Sequence, residues 1–272
     1  MGGVDAYLIA AQSDGLVSTS CQGEACRRFG VTFAEAEAAI LTLGLFPSRY
    51  QRNRETISNE GQLALLQSCV AVIGCGGLGG YIVEELARLG VGRIVAADPD
   101  VFEEHNLNRQ LLATHANLGE YKVTAAARRV SEINPAVALV AHRTAFGTGN
   151  GRELLGGATV VVDALDNITT RLELAAVCRE LGIPLVHGAI AGWFGQVTTQ
   201  LPVDDISVYL SAAGVGAKGV ETKLGNPSFT PAVVASLQVA EACKVILGQG
   251  APISGRMLLC NLFDMEFEEI RL

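Results

Sequence analysis

The stretch VIGCGGLGGYIVEELARLGVGRIVAAD, residues 72–98, places an apolar strand, a glycine-rich turn and an amphipathic helix in the order of a βαβ unit. Gly74, Gly76 and Gly79 leave room for backbone N–H groups and the positive helix end to face a phosphate. Asp98 ends the second strand, where a carboxylate accepts hydrogen bonds from ribose hydroxyls. The pattern predicts a nucleotide site, with a tight structural turn as the alternative, and leaves the nucleotide open.

Strand and helix signals continue to alternate on the C-terminal side of this unit. Strands are expected at CVAVIG, RIVAAD, AVALVA, TVVVDAL and PLVHGAI, then at QVTTQL, RMLLCNLF and MEFEEIRL. Helices are expected at 81–89, 121–133, 151–155, 169–181 and 231–247, with an irregular loop at 202–227. This order predicts an α/β fold, a doubly wound, Rossmann-like and mostly parallel sheet with C-terminal antiparallel strands.

Residues 1–48 differ from this pattern and are expected to form a small helical N-terminal extension to a main domain at 49–272. The segment TFAEAEAAILTLGLF has helical spacing, and Pro47 closes it.

Composition excludes several classes of protein. The chain has 272 residues, 49% hydrophobic content and a net charge of −8, so a broad surface for nucleic acid is not expected. The N-terminus lacks the basic start of a signal peptide, and a cytoplasmic protein without a membrane partner is expected. Seven scattered cysteines and four dispersed histidines favour reduced buried thiols and give no local metal-ligand cluster.

A second group of polar residues follows the glycine turn. The segment HNLNRQ contains Asn106, Arg109 and Gln110, and Lys122 follows shortly after. NAD needs only the helix end for its pyrophosphate, whereas a triphosphate carries more charge and requires additional cations. The alternative is that Arg109 and Lys122 are solvated surface charges.

A third group, VDALDN, follows a buried strand. Asp163 and Asp166 end that strand, at the edge where open α/β sheets bind ligands. A carboxylate here suits Mg²⁺, which prefers oxygen ligands and accompanies nucleotide phosphates. Alternatively, Asp166 or Asn167 caps the next helix.

Seven ordered motifs, RYQRN, GCGGLGG, AADPD, NLNRQ, LGEYK, DALDN and PAVVASLQVAEACKVI, resemble the MoeB/ThiF/HesA family, bacterial relatives of ubiquitin-activating enzymes. The resemblance runs from about Arg49 to the C-terminus. It implies ATP-dependent adenylation, with Mg²⁺ and release of pyrophosphate, of the C-terminal glycine of a ubiquitin-like sulfur carrier ending in Gly-Gly.

The resemblance also implies roles for individual residues. Gly76 and Gly77 would form the phosphate loop beside Gly74 and Gly79, and Asp98 would bind the ribose, with Asp100 near it. The triphosphate would contact Asn106, Arg109 and Lys122, with Gln110 in the same nucleotide-binding set. Asp166 would position Mg²⁺, with Asn167 beside it. Arg52, in RYQRN, would reach across a homodimer into the neighbouring ATP site, so Arg52, Arg109, Lys122 and Asp166 are the expected catalytic residues.

Two departures from the family pattern carry expectations of their own. Many members bind a structural zinc through two CxxC pairs, and the absence of CxxC here predicts a zinc-free protein. No cysteine occurs between Ala189 and Ala242, where many members carry the thiol that forms a covalent intermediate. Adenylation without an enzyme thioester is therefore the expectation.

Two other functions remain open from the sequence. A nicotinamide- or flavin-dependent oxidoreductase would fit the first βαβ unit equally well, but would leave Arg109, Lys122 and Asp166 without a role. A non-catalytic binding paralogue is the third possibility, and the intact charged set argues against it.

Overall fold

A computed structural model describes residues 3–212 and 224–272. The α-helices of the described residues are α1 (Gly3–Ala11), α2 (Thr19–Phe29), α3 (Phe33–Thr42), α4 (Asn59–Gln67), α5 (Gly77–Leu89), α6 (Lys122–Ile133), α7 (Gly151–Leu155), α8 (Ile168–Leu181), α9 (Ser207–Ala212) and α10 (Phe229–Leu247). The strands are β1 (Leu16–Val17), β2 (Phe46–Pro47), β3 (Cys69–Ile73), β4 (Arg93–Ala97), β5 (Ala138–His142), β6 (Val160–Asp163), β7 (Leu185–Ala191), β8 (Phe194–Gln200), β9 (Arg256–Asn261) and β10 (Glu266–Arg271).

Eight strands form one sheet in the order β10-β9-β8-β7-β6-β3-β4-β5. The pairs from β7 to β5 are parallel, and the pairs from β7 to β10 are antiparallel. The predicted fold class is therefore confirmed. β3 pairs with β4 on one side and with β6 on the other. The order in which strands are added to the sheet therefore reverses at β3, although these strands remain parallel. The carboxyl ends of β3 and β6 flank the crevice in which open α/β sheets bind ligands.

Alternate residues of β3 enter two different cores. Val70 and Val72 pack with α5, α6 and α10, whereas Ala71 and Ile73 pack with α7 and α8 on the other face. All five residues of β3 are buried, as expected for a strand covered by helices on both faces. This packing fixes the turn that follows β3 between two layers of helices.

The N-terminal segment has its own small core, which includes Leu8, Val17 and Ile40. The helical spacing of this segment predicts helix α3. Thr32 and Glu35 form a capping box at its start. The polar helix α2 lacks that spacing and was not expected. The segment is joined to the rest of the chain through Arg49, whose guanidinium donates to Glu37 Oε2 at 2.9 Å. The boundary at residue 48 stays a prediction.

The stretch 202–227 differs from the irregular loop that we expect. Residues 207–212 form α9, because Ile206 and Leu210 are buried against α8. The expectation is wrong for this part, and residues 213–223 lie outside the described part of the chain. The helix α10 begins two residues earlier than predicted.

Helix α10 is long and apolar enough to cross a membrane, the single such helix among the described residues. It contacts α5, β7 and β8, and Val234, Ala235 and Ala242 are fully buried. These contacts make it a core helix of the domain, because its apolar face is already covered by protein.

Candidate functional site

A cavity of about 400 Å³ lies between the carboxyl ends of β3, β4 and β6. This is the edge at which the sequence motifs predict a nucleotide site. The predicted site residues that line it are Gly74, Gly76, Gly77, Asp98, Asp100, Arg109, Gln110, Lys122, Asp166 and Asn167. The fold thus brings together residues from five of the seven sequence motifs, up to 93 positions apart in the chain.

The glycine turn forms the floor of the cavity. Gly74 has a φ of +101°, and a Cβ there would lie 2.5 Å from the carbonyl oxygen of Ala164. Gly79 lies behind the turn, where a Cβ would be 1.9 Å from the carbonyl oxygen of Gly74. These two glycines let the turn, the helix and the β6 loop approach closely. Gly76 precedes α5, so the N-terminal amides and positive end of α5 face the cavity.

Asp98 holds this turn from the end of β4. Its two carboxylate oxygens accept the Cys75 N–H at 2.7 Å and the Asp100 N–H at 2.8 Å. Burial raises the pKa of the Asp98 carboxyl, opposed by Lys122 and by the two N–H donors. Asp98 therefore shapes the glycine turn in addition to lining the cavity, a role that the sequence alone did not suggest.

Lys122 is the most deeply buried cation of the cavity wall. Its Nζ donates to Asp100 Oδ2 at 2.8 Å, and the residue is only 7% exposed. The interpretation of Lys122 as a solvated surface charge is therefore wrong. A buried ammonium at this position provides a fixed positive charge for an anionic ligand.

Arg109 and Gln110 form the wall above the start of α5. Arg109 Nη1 donates to the His105 carbonyl at 3.2 Å and to Asn108 Oδ1 at 2.9 Å. Gln110 is buried, and its Oε1 has no partner among the described residues. Both side chains line the cavity and so remain available to a ligand.

The opposite wall comes from the loop that joins β6 to α8. Asn167 Oδ1 accepts the Thr170 N–H at 2.9 Å. Of the two residues that the sequence offers as the cap of α8, Asp166 and Asn167, it is therefore Asn167 that caps the helix. Asp166 makes no hydrogen bond or ion pair with any other described residue, and its side chain lines the cavity. A free carboxylate beside a phosphate site fits Mg²⁺ together with a nucleotide.

Two buried polar atoms of the cavity lining lack partners among the described residues, Gln110 Oε1 and Asn226 Oδ1. Arg171 Nε makes no hydrogen bond with these residues but forms an ion pair with Asp163 Oδ2 at 3.5 Å. Unpaired buried polar groups are costly, and a bound polar ligand satisfies them. The cavity also holds the N-terminal end of α5, the cations Lys122 and Arg109, and the Asp166 carboxylate. Together these groups suit the phosphates and the sugar of a nucleotide and its metal ion.

Three predicted residues lie outside the lining. Asn106 is buried below it, where Oδ1 accepts the Glu103 N–H at 2.9 Å. Gly79 supports the turn from behind, and Arg52 is exposed on a separate turn before α4. Outside the quoted motifs, sequence reasoning missed six lining residues, since their helices, strands and loops carry no motif: Ala145, Phe146, Thr170, Arg171, Ile190 and Asn226.

No group of three or more His, Cys, Asp or Glu side chains within residues 3–212 and 224–272 could hold a metal ion by itself. The residues 213–223, AGVGAKGVETK, contain neither Cys nor His. A resident tetrahedral metal has no ligand set in the described residues, and Asp166 fits a metal that arrives with phosphate.

Curated relatives are similar over most of the chain. The SAMP-activating enzyme E1 of Haloferax volcanii is 38% identical over 226 residues, 82% of this chain and 84% of the relative. The sulfur carrier protein adenylyltransferase of Thermus thermophilus is 34% identical over 82% of this chain and 86% of the relative. The molybdopterin-synthase adenylyltransferase of Escherichia coli is 32% identical over 78% and 86%.

Solved structures agree with the fold. The crystal structure of E. coli MccB with ATP has a TM-score of 0.70 at 18% identity, covering 92% of this chain and 82% of that chain. The E. coli tRNA N6-threonylcarbamoyladenosine dehydratase with ATP has a TM-score of 0.64 at 24% identity, covering 74% and 94%. The ThiF family model matches residues 50–272, and the chain belongs to the ThiF family, as its motifs predict.

Proposed function

We propose that this protein is an ATP-dependent adenylyltransferase that activates the C-terminal glycine of a ubiquitin-like sulfur carrier. The observation that carries the proposal is one cavity that combines a glycine turn at a helix N-terminus with the cations Lys122, Arg109 and Arg171. The names of the Haloferax volcanii and Thermus thermophilus relatives support the same activity.

The reaction joins a carboxylate oxygen of the carrier to the α-phosphorus of ATP. The bond from that phosphorus to the bridging oxygen of the β-phosphate breaks, and pyrophosphate leaves with the electron pair. Lys122 and Arg109 stabilise the charge that develops on the phosphate oxygens, and the N–H groups at the start of α5 orient the chain of phosphates. Mg²⁺, held near Asp166, neutralises part of the triphosphate charge when bound.

The carrier needs a protein surface beside this cavity. Trp193, Phe229 and Phe263 form an aromatic patch where the β7–β8 turn meets the start of α10 and the β9–β10 turn. Phe263 is 69% exposed and Trp193 is 43% exposed. Ile190, three residues before Trp193, lines the cavity. Exposed apolar patches mark interaction sites, and we propose that this one receives the carrier.

Four finer features complete the proposal. The carrier ends in Gly-Gly, and the enzyme is a homodimer in which Arg52 serves the partner's site. The protein contains no zinc and works in the cytoplasm. Stoichiometric zinc in purified, tag-free protein, or activity that a chelator abolishes and excess Mg²⁺ does not restore, contradicts the zinc-free proposal, because tetrahedral zinc requires a set of thiolate or imidazole ligands.

The decisive experiment measures pyrophosphate–ATP exchange with a carrier ending in Gly-Gly. We expect exchange that depends on both the carrier and Mg²⁺, and none with a carrier that lacks its last glycine. Thermal melting separates the alternatives: ATP with Mg²⁺ raises the melting temperature of an adenylyltransferase, and NADH that of an oxidoreductase. A shift with NADH alone, or with neither, contradicts the proposal.

A further inference from the structure

Beneath the cavity, a histidine lies in direct contact with an aspartate of the neighbouring strand. His187 on β7 and Asp163 at the end of β6 are 0% and 1% exposed. Their atoms His187 Nδ1 and Asp163 Oδ2 are 2.7 Å apart. None of the functional roles described above uses His187. A buried carboxylate requires hydrogen-bond donors, and His187 supplies one of them.

The polar chain beyond His187 specifies its proton positions. Tyr209 OH donates to Gln196 Oε1 at 3.0 Å, so the amide nitrogen of Gln196 faces the histidine. Gln196 Nε2 lies 3.2 Å from His187 Nε2. Because the amide nitrogen can only donate, His187 Nε2 accepts, and the ring carries its proton on Nδ1. In each hydrogen bond of this series, the donor is therefore the group farther from Asp163.

Asp163 in turn holds the loop that carries Asp166. Its Oδ1 accepts the Leu165 N–H at 2.9 Å. Its Oδ2 also faces Arg171 Nε at 3.5 Å, and Arg171 Nη2 donates to the Leu165 carbonyl. Leu165 and Arg171 both line the cavity. A displacement of the Asp163 carboxylate would therefore move one wall of the cavity.

We propose that His187, as the neutral Nδ1–H tautomer, is a positioning residue that fixes Asp163 and thereby the residues 164–167 and Arg171 against the bound nucleotide. The catalytic part of this inference rests on the adenylyltransferase function proposed above. The structural part, the tautomer and its effect on the cavity wall, is independent of the carrier. Groups that orient a directly acting residue typically change affinity or activity by about 10- to 100-fold when removed.

The tautomer is tested on the unmodified protein. Long-range ¹H–¹⁵N correlation spectra distinguish a ring protonated on Nδ1 from one protonated on Nε2 or on both nitrogens. A His187→Gln sample assigns the signal, because only that signal disappears. We expect an Nδ1–H ring for His187, and a ring protonated on Nε2 overturns the proposal.

Two substitutions separate positioning from packing. In His187→Asn, the amide nitrogen takes the place of Nδ1 and keeps a donor toward Asp163, whereas the longer His187→Gln side chain keeps a nitrogen at the Nε2 position. We expect His187→Gln to weaken ATP binding in the presence of Mg²⁺ and to lower kcat of exchange by about 10- to 100-fold each. The KM for the carrier stays unchanged, and His187→Asn restores most of both losses.

Thr198→Val is the matched control. Thr198 pairs with His187 across the β7–β8 ladder, is equally buried, and donates to the Arg256 carbonyl at 2.7 Å, away from Asp163. We expect this variant to melt at a lower temperature with an unchanged ATP affinity. If Thr198→Val weakens ATP binding as much as His187→Gln does, the effect is one of packing and the proposal fails.

Failure of the proposed function gives a different result. If the wild-type protein shows no exchange with a carrier, the adenylyltransferase proposal fails, while the tautomer and the ATP affinities still decide the role of His187. If His187→Gln folds and binds ATP with wild-type affinity, the positioning role is refuted whatever the reaction.

Discussion

The Lys122 ammonium lies 3.9 Å from Asp98 Oδ1, and both side chains are more than nine-tenths buried. Asp98 accepts a hydrogen bond from the glycine turn, and Lys122 lines the cavity. The ion pair therefore links the residue that holds the turn to the cation that faces the cavity. Removing one member of a buried pair leaves the other uncompensated, at a general cost of about 3–5 kcal/mol.

Lys122→Met is expected to reduce both activity and stability. Loss of one preorganised cation lowers the exchange rate by on the order of 10²-fold. The pKa of Asp98 is already raised by burial, and loss of Lys122 raises it further. The folded form then binds this proton more tightly than the unfolded chain, so stability falls as pH rises above the ordinary value of 3.8. Urea unfolding should give a larger difference from wild type near pH 7 than near pH 4. An equal difference at both pH values contradicts the coupling of the pair.

Two glycines of the same turn should respond in opposite ways to alanine. A Cβ at Gly79 overlaps the Gly74 carbonyl, so Gly79→Ala requires a backbone shift that costs about 1–3 kcal/mol or more. A Cβ at Gly77 lies 3.7 Å from its nearest neighbour, and alanine is the better helix former by about 1 kcal/mol. Thermal melting should therefore fall for Gly79→Ala and hold or rise for Gly77→Ala. The ATP-induced shift of Gly77→Ala should be smaller than that of wild type, because the methyl group enters the cavity wall.

The parts of the site that follow local motifs were predictable, and those that depend on packing were not. Gly76, Lys122 and Asp166 belong to motifs that stand at the ends of predicted strands or helices, so the parallel order alone brings them to one edge. Arg171 is one position on a helix face, and nothing in the sequence distinguishes it from the other arginines of the chain. The contact between His187 and Asp163 depends on the β6–β7 pairing, which a strand assignment does not specify.

The secondary structure shows the same division. Helix α5 ends at Gly90, which adopts φ of +83°, as the terminal glycine of an amphipathic pattern predicts. Helix α2 is polar and α9 has only six residues, so neither offers the long apolar stripe on which the helix predictions rest. In α9, the spacing of Ile206 and Leu210 is a signal that could have identified the helix.

Phe263→Ser should weaken recognition of the carrier without affecting the nucleotide. The side chain is 69% exposed, so its loss costs little stability, whereas an aromatic anchor at an interface contributes more than about 1 kcal/mol. We expect KM for the carrier to rise about tenfold, with KM for ATP unchanged, in steady-state exchange. Val203→Ser is the control, because Val203 is 91% exposed and follows the opposite end of β8. An unchanged KM for the carrier would remove the aromatic patch from the docking surface.

Complementation between two inactive chains should test whether ATP sites are shared across a homodimer. Arg52 is exposed and lies outside the cavity lining of its own chain. Arg52→Ala and Asp166→Asn are each expected to lack exchange activity. In a mixed dimer, the Arg52→Ala chain keeps Asp166 and receives Arg52 from the other subunit, which restores one site. Random mixing gives about one half mixed dimers and so about one quarter of wild-type activity. Mixtures that stay inactive, after subunit exchange has been demonstrated by mass spectrometry, contradict a shared site.

The thiols of the chain are poorly suited to covalent catalysis. Burial raises the pKa of Cys178 to about 12 and that of Cys243 to about 11, and it raises the pKa of Cys75 further still. A thiol is nucleophilic only as the thiolate, which is scarce near neutral pH when the pKa is raised. No cysteine side chain lines the cavity in the described residues.

Exchange should therefore depend on Asp166 and on no cysteine. Asp166→Ala is expected to lower pyrophosphate–ATP exchange by on the order of 10²-fold, because the variant lacks the carboxylate that we propose positions the metal. Single Cys→Ser variants should keep most of the activity, except that Cys69→Ser, Cys75→Ser and Cys178→Ser introduce a hydroxyl at buried positions and lower the melting temperature. An acyl adenylate is already electrophilic, so on the cysteine-free route a sulfur donor would attack it directly and displace AMP. The measurement is exchange for each variant, together with non-reducing electrophoresis and mass spectrometry of the enzyme after reaction with carrier and ATP. Activity that survives in Asp166→Ala refutes the role of that residue, and a thioester-linked adduct abolished by one Cys→Ser change refutes the cysteine-free route.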